Sequence, residues 1–219
     1  MKTKNLFDLT KTIGKDLFLK KEYPWEVLKD IKDYILSLGE TLGDNFIKIK
    51  EDIWISKTAK VAETALLCGP LIIDEGAEIR QGAFIRGSVI IGKNAVVGNS
   101  TELKNCILFD NVQVPHYNYI GDSVLGYKAH FGAGALTSNV KSDKTLITVK
   151  GNSINIPTDL KKFGAMVGDN VEIGCHTVLC PGTIIGKNTN IYPLSMVRGI
   201  IGGNLIYKDK ENIVEKIKE

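Results

Sequence analysis

Large aliphatic residues recur every six positions through the middle of this chain, and this period restricts the fold more than any other feature. The first run has nine matches, at Val61, Leu67, Ile73, Ile79, Ile85, Ile91, Val97, Leu103 and Phe109. A second run consists of Val167, Ile173, Leu179, Ile185, Ile191 and Val197. A helix needs apolar residues three and four apart, and an amphipathic strand alternates before it turns. A sustained period of six therefore indicates short strands joined by regular corners, with three units in each coil of about 18 residues.

A mostly small or branched apolar residue stands two positions before each large aliphatic. In the first run these residues are Ala59, Ala65, Leu71, Ala77, Ala83, Val89, Ala95, Thr101 and Ile107. Glycine or another small residue often follows the aliphatic, as at Gly92 and Gly98. Because a β-carbon is costly where a chain bends tightly, the pattern predicts corners at these glycines. Stacked coils would pair their strands in parallel and bury the aliphatics in one continuous core.

The repeat occupies residues 52–208 and is interrupted once. At about 140–162, polar residues and Pro157 break the rhythm. A segment of this length inside a repeat is expected to be an inserted loop, either functional or disordered.

The two ends of the chain lack the period. Within residues 1–51, positions 24–38 are expected to form a helix with Pro24 in its first turn and Gly39 after its last. This segment is expected to cap an open end of the coil stack, with partner docking as the alternative. Residues 209–219 are expected to form a short, charged C-terminal helix.

The composition is that of one or two soluble domains and names no ligand. The 219 residues include 28 basic and 25 acidic side chains, a balance too even to favour nucleic acid or an anionic membrane as the main partner. The four cysteines form no CxxC pair, and the first residues lack the apolar core of a signal peptide. No stretch approaches the roughly 18 apolar residues of a membrane span. We therefore expect a cytoplasmic protein without a transmembrane segment.

Four strings within residues 86–139 resemble, in type and mutual spacing, the acetyltransferase half of the bacterial bifunctional enzymes that acetylate glucosamine 1-phosphate and then uridylylate the product. The strings are Arg86, VGNSTELK at 97–104, HYNYIGD at 116–122 and GAGALTSN at 132–139. The six-residue period is similar to that of the hexapeptide-repeat superfamily, which consists largely of acyltransferases. These resemblances imply an all-β, left-handed parallel β-helix. They also imply an acetyl-coenzyme A-dependent N-acetyltransferase for an amino-sugar phosphate, with glucosamine 1-phosphate as the expected acceptor.

The resemblance assigns roles to the residues that match. His116 falls on the family's general base, which removes a proton as the sugar amine attacks the acetyl thioester, and imidazole accepts protons near neutral pH. Arg86, Lys104 and Tyr119 fall on positions that bind the sugar phosphate, and cationic side chains suit a phosphate dianion. The alternative for the two cations is that they are solvated charges on the outer surface.

Four further positions are carried over from the family. Asn139 matches an asparagine that contacts the substrate or organises the neighbouring site. His130 stands where the family usually has a sugar-binding asparagine, and imidazole cannot reproduce both sides of an amide. Ala133 and Cys175 fall on positions that contact acetyl-coenzyme A, with Cys175 in place of a serine. The resemblance also implies a homotrimer with active sites between subunits.

Two other functions stay open at this point. A zinc lyase of the carbonic anhydrase type would need three histidines, but His116, His130 and His176 lack the pair four apart that this class uses, so no metal site is predicted. A non-catalytic module that binds sugar phosphates or nucleotide sugars is the main alternative, favoured by the departures at His130 and Cys175. The sequence has no Gly-rich nucleotide loop followed by an α/β domain, so nucleotidyl transfer is not expected.

Overall fold

The body of the protein is a left-handed parallel β-helix of hexapeptide repeats, seen in a computed structural model that describes residues 1–151 and 155–217. Three flanks meet at three corners, and between the two ends of the stack the strands pair in parallel with those of the neighbouring coils. The predicted all-β architecture is confirmed.

The strands fall into three flanks. The first flank contains β2 (Ile53–Ser56), β5 (Leu71–Ile73), β8 (Val89–Ile91), β17 (Ala165–Val167), β20 (Thr183–Ile185) and β23 (Ile200–Ile201). The second contains β3 (Lys60–Val61), β6 (Glu78–Ile79), β9 (Val96–Asn99), β11 (Gln113–His116), β13 (His130–Phe131), β18 (Glu172–Ile173), β21 (Asn190–Ile191) and β24 (Leu205–Tyr207). The third contains β4 (Leu66–Leu67), β7 (Phe84–Ile85), β14 (Leu136–Thr137), β19 (Val178–Leu179) and β22 (Met196–Val197). Two longer strands, β10 (Glu102–Leu108) and β12 (Tyr119–Leu125), turn the corner from the third flank to the first.

The repeated aliphatics form the core, with Val61 and Leu67 only partly buried, and the register shifts at the end of the first run. The pairing aligns Leu108, not Phe109, with Ile91 of the coil before. The preceding corner is one residue shorter than in that coil, which moves the inward position from Phe109 to Leu108. The six-residue rhythm therefore shifts by one residue at Ile107 and Phe109, although both side chains are fully buried, as predicted. Phe109 is buried beneath the N-terminal segment, with its ring centroid 5.1 Å from that of Phe7.

The glycines after the aliphatics are required by close packing rather than by a tight bend. A β-carbon on Gly98 would lie 1.6 Å from the carbonyl oxygen of Pro115 in the next coil. The left-handed backbone of the corners falls instead on other residues, such as Asn94 (φ 54°) and Asn111 (φ 60°). Asparagine tolerates this conformation better than most residues because its short side chain bonds locally. A β-carbon is thus costly at Gly98, as predicted, but the reason is the neighbouring coil.

The N-terminal segment is helical but is broken into short pieces. It comprises α1 (Thr3–Leu6), three 3₁₀ helices (Leu9–Lys11, Lys15–Phe18 and Pro24–Lys29) and α2 (Ile31–Gly39). The single helix predicted over 24–38 is therefore two helices, which meet at Asp30. Pro24 begins the first of them, in the first-turn position where its missing N–H costs nothing.

These helices lie along the first flank, and the predicted capping of an open end is made by the strand that follows them within residues 1–51, not by the helices. Helix α2 contacts β5, β8 and β10, and the 3₁₀ helix Pro24–Lys29 contacts β12. The outward side chains of this flank are fully buried: Ile72, Ile90, Ile107, Val124, Met166 and Ile184. The first edge is covered by β1 (Phe46–Lys50), which pairs antiparallel with β2 and supplies the hydrogen bonds that an open edge lacks.

The last edge is covered in the same way. Residues 213–215 form β25 (Ile213–Glu215), antiparallel to β24, so the prediction of a helix is wrong for these residues. The edge of β24 presents unpaired backbone groups, and pairing with them outweighs the helical propensity of a short charged segment. Residues 218–219 of the predicted helix lie outside the described part of the chain.

The interruption leaves the coil between β14 and β17. It contains a hairpin of β15 (Thr148–Lys150) and β16 (Asn155–Pro157), while residues 152–154 lie outside the described residues. Its two ends are joined where the Phe163 N–H donates to the Asn139 carbonyl oxygen at 2.9 Å. The segment therefore returns to the corner from which it leaves, between the third and first flanks.

One buried carboxylate opposes folding at neutral pH. Asp74 follows β5, is 1% exposed, and has an Oδ2 atom without a hydrogen-bond partner among the described residues. Burial raises the pKa of this carboxyl, because removal from water penalises the charged form. The folded state therefore favours protonated Asp74.

We expect Asp74→Asn to raise the free energy of unfolding by about 1 kcal/mol at pH 7 and to change it little at pH 4. The folded-state pKa lies above the unfolded value, so the wild type loses stability relative to the variant as the pH rises from about 4 through the folded-state pKa. Urea denaturation of both proteins at the two pH values measures this difference. A variant that is destabilised equally at both would contradict the assignment.

Candidate active site

His116 lies at the corner between the second and third flanks, with its side chain exposed. The backbone N–H of His116 donates to Asn118 Oδ1 at 3.1 Å. Its backbone carbonyl oxygen accepts from the Gly134 N–H of the next coil at 3.1 Å. Tyr117 takes a left-handed φ of 37° and turns the chain onto the third flank. The backbone of His116 is thus held on both sides while the imidazole faces solvent.

Asn118 is a structural residue of this corner to which the sequence analysis assigned no role. It is 2% exposed, and its Nδ2 donates to the carbonyl oxygens of Gly132 and Ala135, each at 2.9 Å. These bonds tie the His116 corner to the coil that follows. The signal in the sequence was a polar residue at a position that the coil geometry buries.

The positions proposed for the coenzyme stack directly on the His116 corner. The Gly134 N–H reaches the His116 carbonyl oxygen, and the His176 N–H reaches that of Ala133 at 2.8 Å. Cys175 precedes His176 and is exposed. Three consecutive coils therefore place His116, Ala133 and Cys175 at one corner.

A second group of polar residues occupies the next corner, between the third and first flanks. This polar corner consists of Arg86, Glu102, Lys104, Tyr119, Asp122 and Asn139. Arg86 Nη1 lies 2.6 Å from Glu102 Oε1, and Lys104 Nζ lies 3.6 Å from Asp122 Oδ2. Both predicted phosphate-binding cations are therefore paired with carboxylates.

Tyr119 and Asn139 are held together within the polar corner. Asn139 Nδ2 donates to Tyr119 Oη at 3.2 Å and also to Asp122 Oδ2. Burial, aided by the charge of Asp122, raises the pKa of the Tyr119 phenol, so the hydroxyl keeps its proton and can donate a hydrogen bond to a ligand oxygen. Asn139 reaches this position because it begins the inserted segment.

The third flank joins the two corners. β12 begins at Tyr119, three residues after His116, and Tyr119 pairs with Glu102 of the coil before. Three extended residues span at most about 10 Å. The structure therefore brings together five of the predicted substrate and catalytic residues along one flank: Arg86, Lys104, His116, Tyr119 and Asn139.

His130 is not brought to the polar corner of its own chain. It lies on the second flank, where its Nδ1 is 2.8 Å from Glu172 Oε2. The pair borders an open groove of about 360 Å³, also lined by Asn111, Gln113 and Lys128.

Two general features of the described residues complete this picture. Nowhere in residues 1–151 or 155–217 do three His, Cys, Asp or Glu side chains come close enough together to hold a metal ion. No helix within these ranges is long and apolar enough to cross a bilayer.

Two family matches divide the repeat region. Residues 67–161 match the family described as GMPPB C-terminal domain, and residues 164–199 match the family described as bacterial transferase hexapeptide (six repeats). The second match covers 36 residues, about two coils, that follow the inserted segment, whereas the first includes His116 and the polar corner.

Two of the relatives with similar sequences are bifunctional proteins. The chain is 35% identical to the bifunctional protein GlmU of Methanococcus aeolicus over 215 residues, which are 89% of this chain and 48% of the relative. It is 29% identical to the bifunctional sugar-1-phosphate nucleotidylyltransferase/acetyltransferase of Sulfurisphaera tokodaii over 190 residues, 84% of this chain and 47% of the relative. The chain thus spans about half the length of these relatives. A solved structure of the N-acyltransferase AntD from Bacillus cereus, 18% identical, aligns with a TM-score of 0.38 over 81% of this chain and 93% of that one.

Proposed function

We propose that this chain, which belongs to the hexapeptide-repeat acetyltransferase superfamily, transfers the acetyl group of acetyl-coenzyme A to the amine of an amino-sugar phosphate, with glucosamine 1-phosphate as the acceptor and the cytoplasm as its location. The observation that carries the proposal is the arrangement along the third flank. One end holds an exposed histidine, and the other holds two cations beside a protonated phenol.

His116 acts as the general base in this reaction. The amine nitrogen attacks the thioester carbonyl carbon, its proton passes to the His116 imidazole, and the C–S bond breaks to release coenzyme A. Ala133 and Cys175, stacked on the same corner, contact the coenzyme so that its thioester lies beside His116. Because the amine attacks directly, no covalent intermediate on the protein is needed.

Arg86 and Lys104 bind the phosphate of the acceptor. Glu102 is partly exposed and pairs with Arg86 on the surface, so a phosphate dianion can displace it at little cost. The Tyr119 hydroxyl donates to a phosphate or sugar oxygen, and Asn139 orients that hydroxyl. A phosphate at one end of the flank places the sugar amine toward His116 at the other.

The third flank also supports a homotrimer with sites between subunits. Its outward residues are mostly apolar, and all of them are at least partly exposed: Leu66, Phe84, Glu102, Tyr119, Leu136, Val178 and Met196. Leu66 and Met196 are 56% and 60% exposed, and an apolar column of this kind is typical of an interface. A neighbouring subunit seated on this flank would complete the site and bring the His130 groove of one chain toward the polar corner of another.

We expect Val178→Glu to convert the trimer to a monomer and to abolish turnover, because it places a charge in an apolar interface. Lys60→Glu, which also sets a negative charge at an exposed site of the second flank but lies outside the His130 groove, is the matched control and is expected to leave the trimer intact. Light scattering of the two variants and the wild type measures the mass. A monomeric wild type at working concentration would refute the shared site.

The reaction is tested by thiol release from acetyl-coenzyme A with a panel of amino-sugar phosphates and nucleotide amino sugars. We expect turnover with glucosamine 1-phosphate. Folded, trimeric protein that releases no coenzyme A with any member of the panel would disprove the proposed reaction.

One observation favours a binding module as the second candidate. The His116 ring has no orienting hydrogen bond among the described residues, whereas a base that activates a nucleophile is usually oriented by a third group. A module of this kind would bind a sugar phosphate without turnover. Calorimetry with glucosamine 1-phosphate, run beside the thiol assay, separates the two candidates.

A further inference from the structure

We infer that Asp122 is a positioning residue that sets the acceptor-binding side chains Lys104 and Asn139, an inference that rests on the proposed function. Asp122 belongs to the HYNYIGD string, but the sequence analysis assigned it no role. Its carboxylate is 4% exposed and lies at the centre of the polar corner.

Three side chains converge on this carboxylate. Asn105 Nδ2 donates to Oδ1 at 2.9 Å, and Asn139 Nδ2 donates to Oδ2. Lys104 Nζ lies 3.6 Å from Oδ2. A buried carboxylate with three such partners has one orientation, so it determines where Lys104 and Asn139 point.

The shortened corner explains why a carboxylate can occupy this place. Asp122 takes a left-handed φ of 47°, as Asn105 does in the coil before. Both residues stand in corners of two residues, where the earlier coil has three. The Gly164 N–H, at the end of the inserted segment, donates to the Asp122 carbonyl oxygen at 2.8 Å and fixes the backbone.

Asp122 also connects the site to the N-terminal segment. The Asn105 amide that donates to Asp122 donates in addition to the Leu28 carbonyl oxygen at 3.1 Å. The 3₁₀ helix Pro24–Lys29 therefore supports the polar corner from behind. This contact gives the N-terminal segment a part in the geometry of the site.

A second buried carboxylate provides the comparison. Asp169 is 3% exposed, lies 2.8 Å from Lys187 Nζ, and accepts backbone N–H groups from Asp8 and Tyr127. It too secures the N-terminal segment, but at the corner between the first and second flanks. Asp169 therefore serves the fold alone, whereas two partners of Asp122 are proposed to touch the acceptor.

Asp122→Asn is the test variant. It keeps the shape of the side chain but removes the negative charge that holds Lys104. It also places an amide NH₂ group, a donor, where the neighbouring side chains already donate hydrogen bonds. We expect the KM for glucosamine 1-phosphate to rise about tenfold or more, with kcat and the KM for acetyl-coenzyme A within about threefold of the wild type. Calorimetric Kd values for glucosamine 1-phosphate are expected to rise by the same factor.

Asp169→Asn is the matched control, since it loses an equally buried carboxylate and an equivalent lysine partner. We expect it to lower the Tm while leaving both KM values unchanged. A tenfold rise in the acceptor KM in both variants, or in neither, would overturn the positioning role.

A second variant covers the case in which Asp122→Asn does not fold. Asn105→Asp keeps a residue that tolerates the left-handed backbone but sets a second carboxylate against Asp122. It is expected to raise the acceptor KM severalfold, and an unchanged KM refutes the inference. If the wild-type protein binds glucosamine 1-phosphate without turnover, the proposed reaction is refuted. The role of Asp122 is then still tested by comparing the Kd values of the wild type and Asp122→Asn. Wild-type protein that does not bind it refutes both.

Discussion

His116→Ala is expected to lower kcat for acetyl transfer by about a hundredfold or more, the scale on which a general base contributes. Without the imidazole, the attacking amine must lose its proton to water. The Tm should stay close to that of the wild type, because the His116 side chain is exposed and its fold contacts are made by its backbone. Binding of glucosamine 1-phosphate should persist, since the polar corner is unchanged.

His176→Ala is the control for this prediction. His176 lies at the same corner two coils away, is equally exposed, and has its ring centroid 6.4 Å from that of Tyr117. Its removal is expected to change kcat by less than about threefold. Equal losses in the two variants, or full activity of His116→Ala, would show that the base is another group.

Gly98→Ala is expected to destabilise the protein by about 4 kcal/mol or more, the range reached only when backbone must move or a core is disrupted. The new β-carbon would lie 1.6 Å from the Pro115 carbonyl oxygen and 2.5 Å from its Cα. Only backbone surrounds the site, so no side chain can rotate away, and the two coils would have to separate. Pro115 precedes His116, so any protein that still folds should also lose activity.

Gly43→Ala is the matched control, because a β-carbon there meets no atom within 4 Å. Its free energy of unfolding should change by less than about 0.5 kcal/mol. Urea denaturation of both variants measures the difference. A Gly98→Ala protein as stable as Gly43→Ala would mean that the coils are not stacked as described.

Much of the fold was accessible from the sequence because a coil repeats the same physical demand every six residues. Each inward position needs an aliphatic side chain. The spacing of residues such as Ile73, Ile79 and Ile85 therefore indicates the period before any contact is known. The same regularity makes spacing informative about position. Arg86 and Lys104 are 18 residues apart, one coil, and they follow the paired residues Ile85 and Leu103 of neighbouring coils.

The departures from the period were not accessible, because they depend on contacts between distant residues. Phe109 continues the six-residue rhythm, yet the loss of one corner residue gives its inward position to Leu108 and packs Phe109 against Phe7. The strand at 213–215 likewise forms because an unpaired edge is available to it. The sequence of a short charged segment does not indicate that an unpaired strand edge lies next to it.

The sequence by itself determined the repeat, the core and the residue types available to the site, since all three follow from local periodicity and composition. Only the tertiary structure decided that the N-terminal helices cover the first flank and that His130 lies on the second. It also decided that Asp122 gathers Lys104, Asn105 and Asn139 around one buried charge. These outcomes depend on which surfaces are left uncovered and on the length of each corner. The contacts that stabilise them join residues far apart in sequence, so no local pattern predicts them.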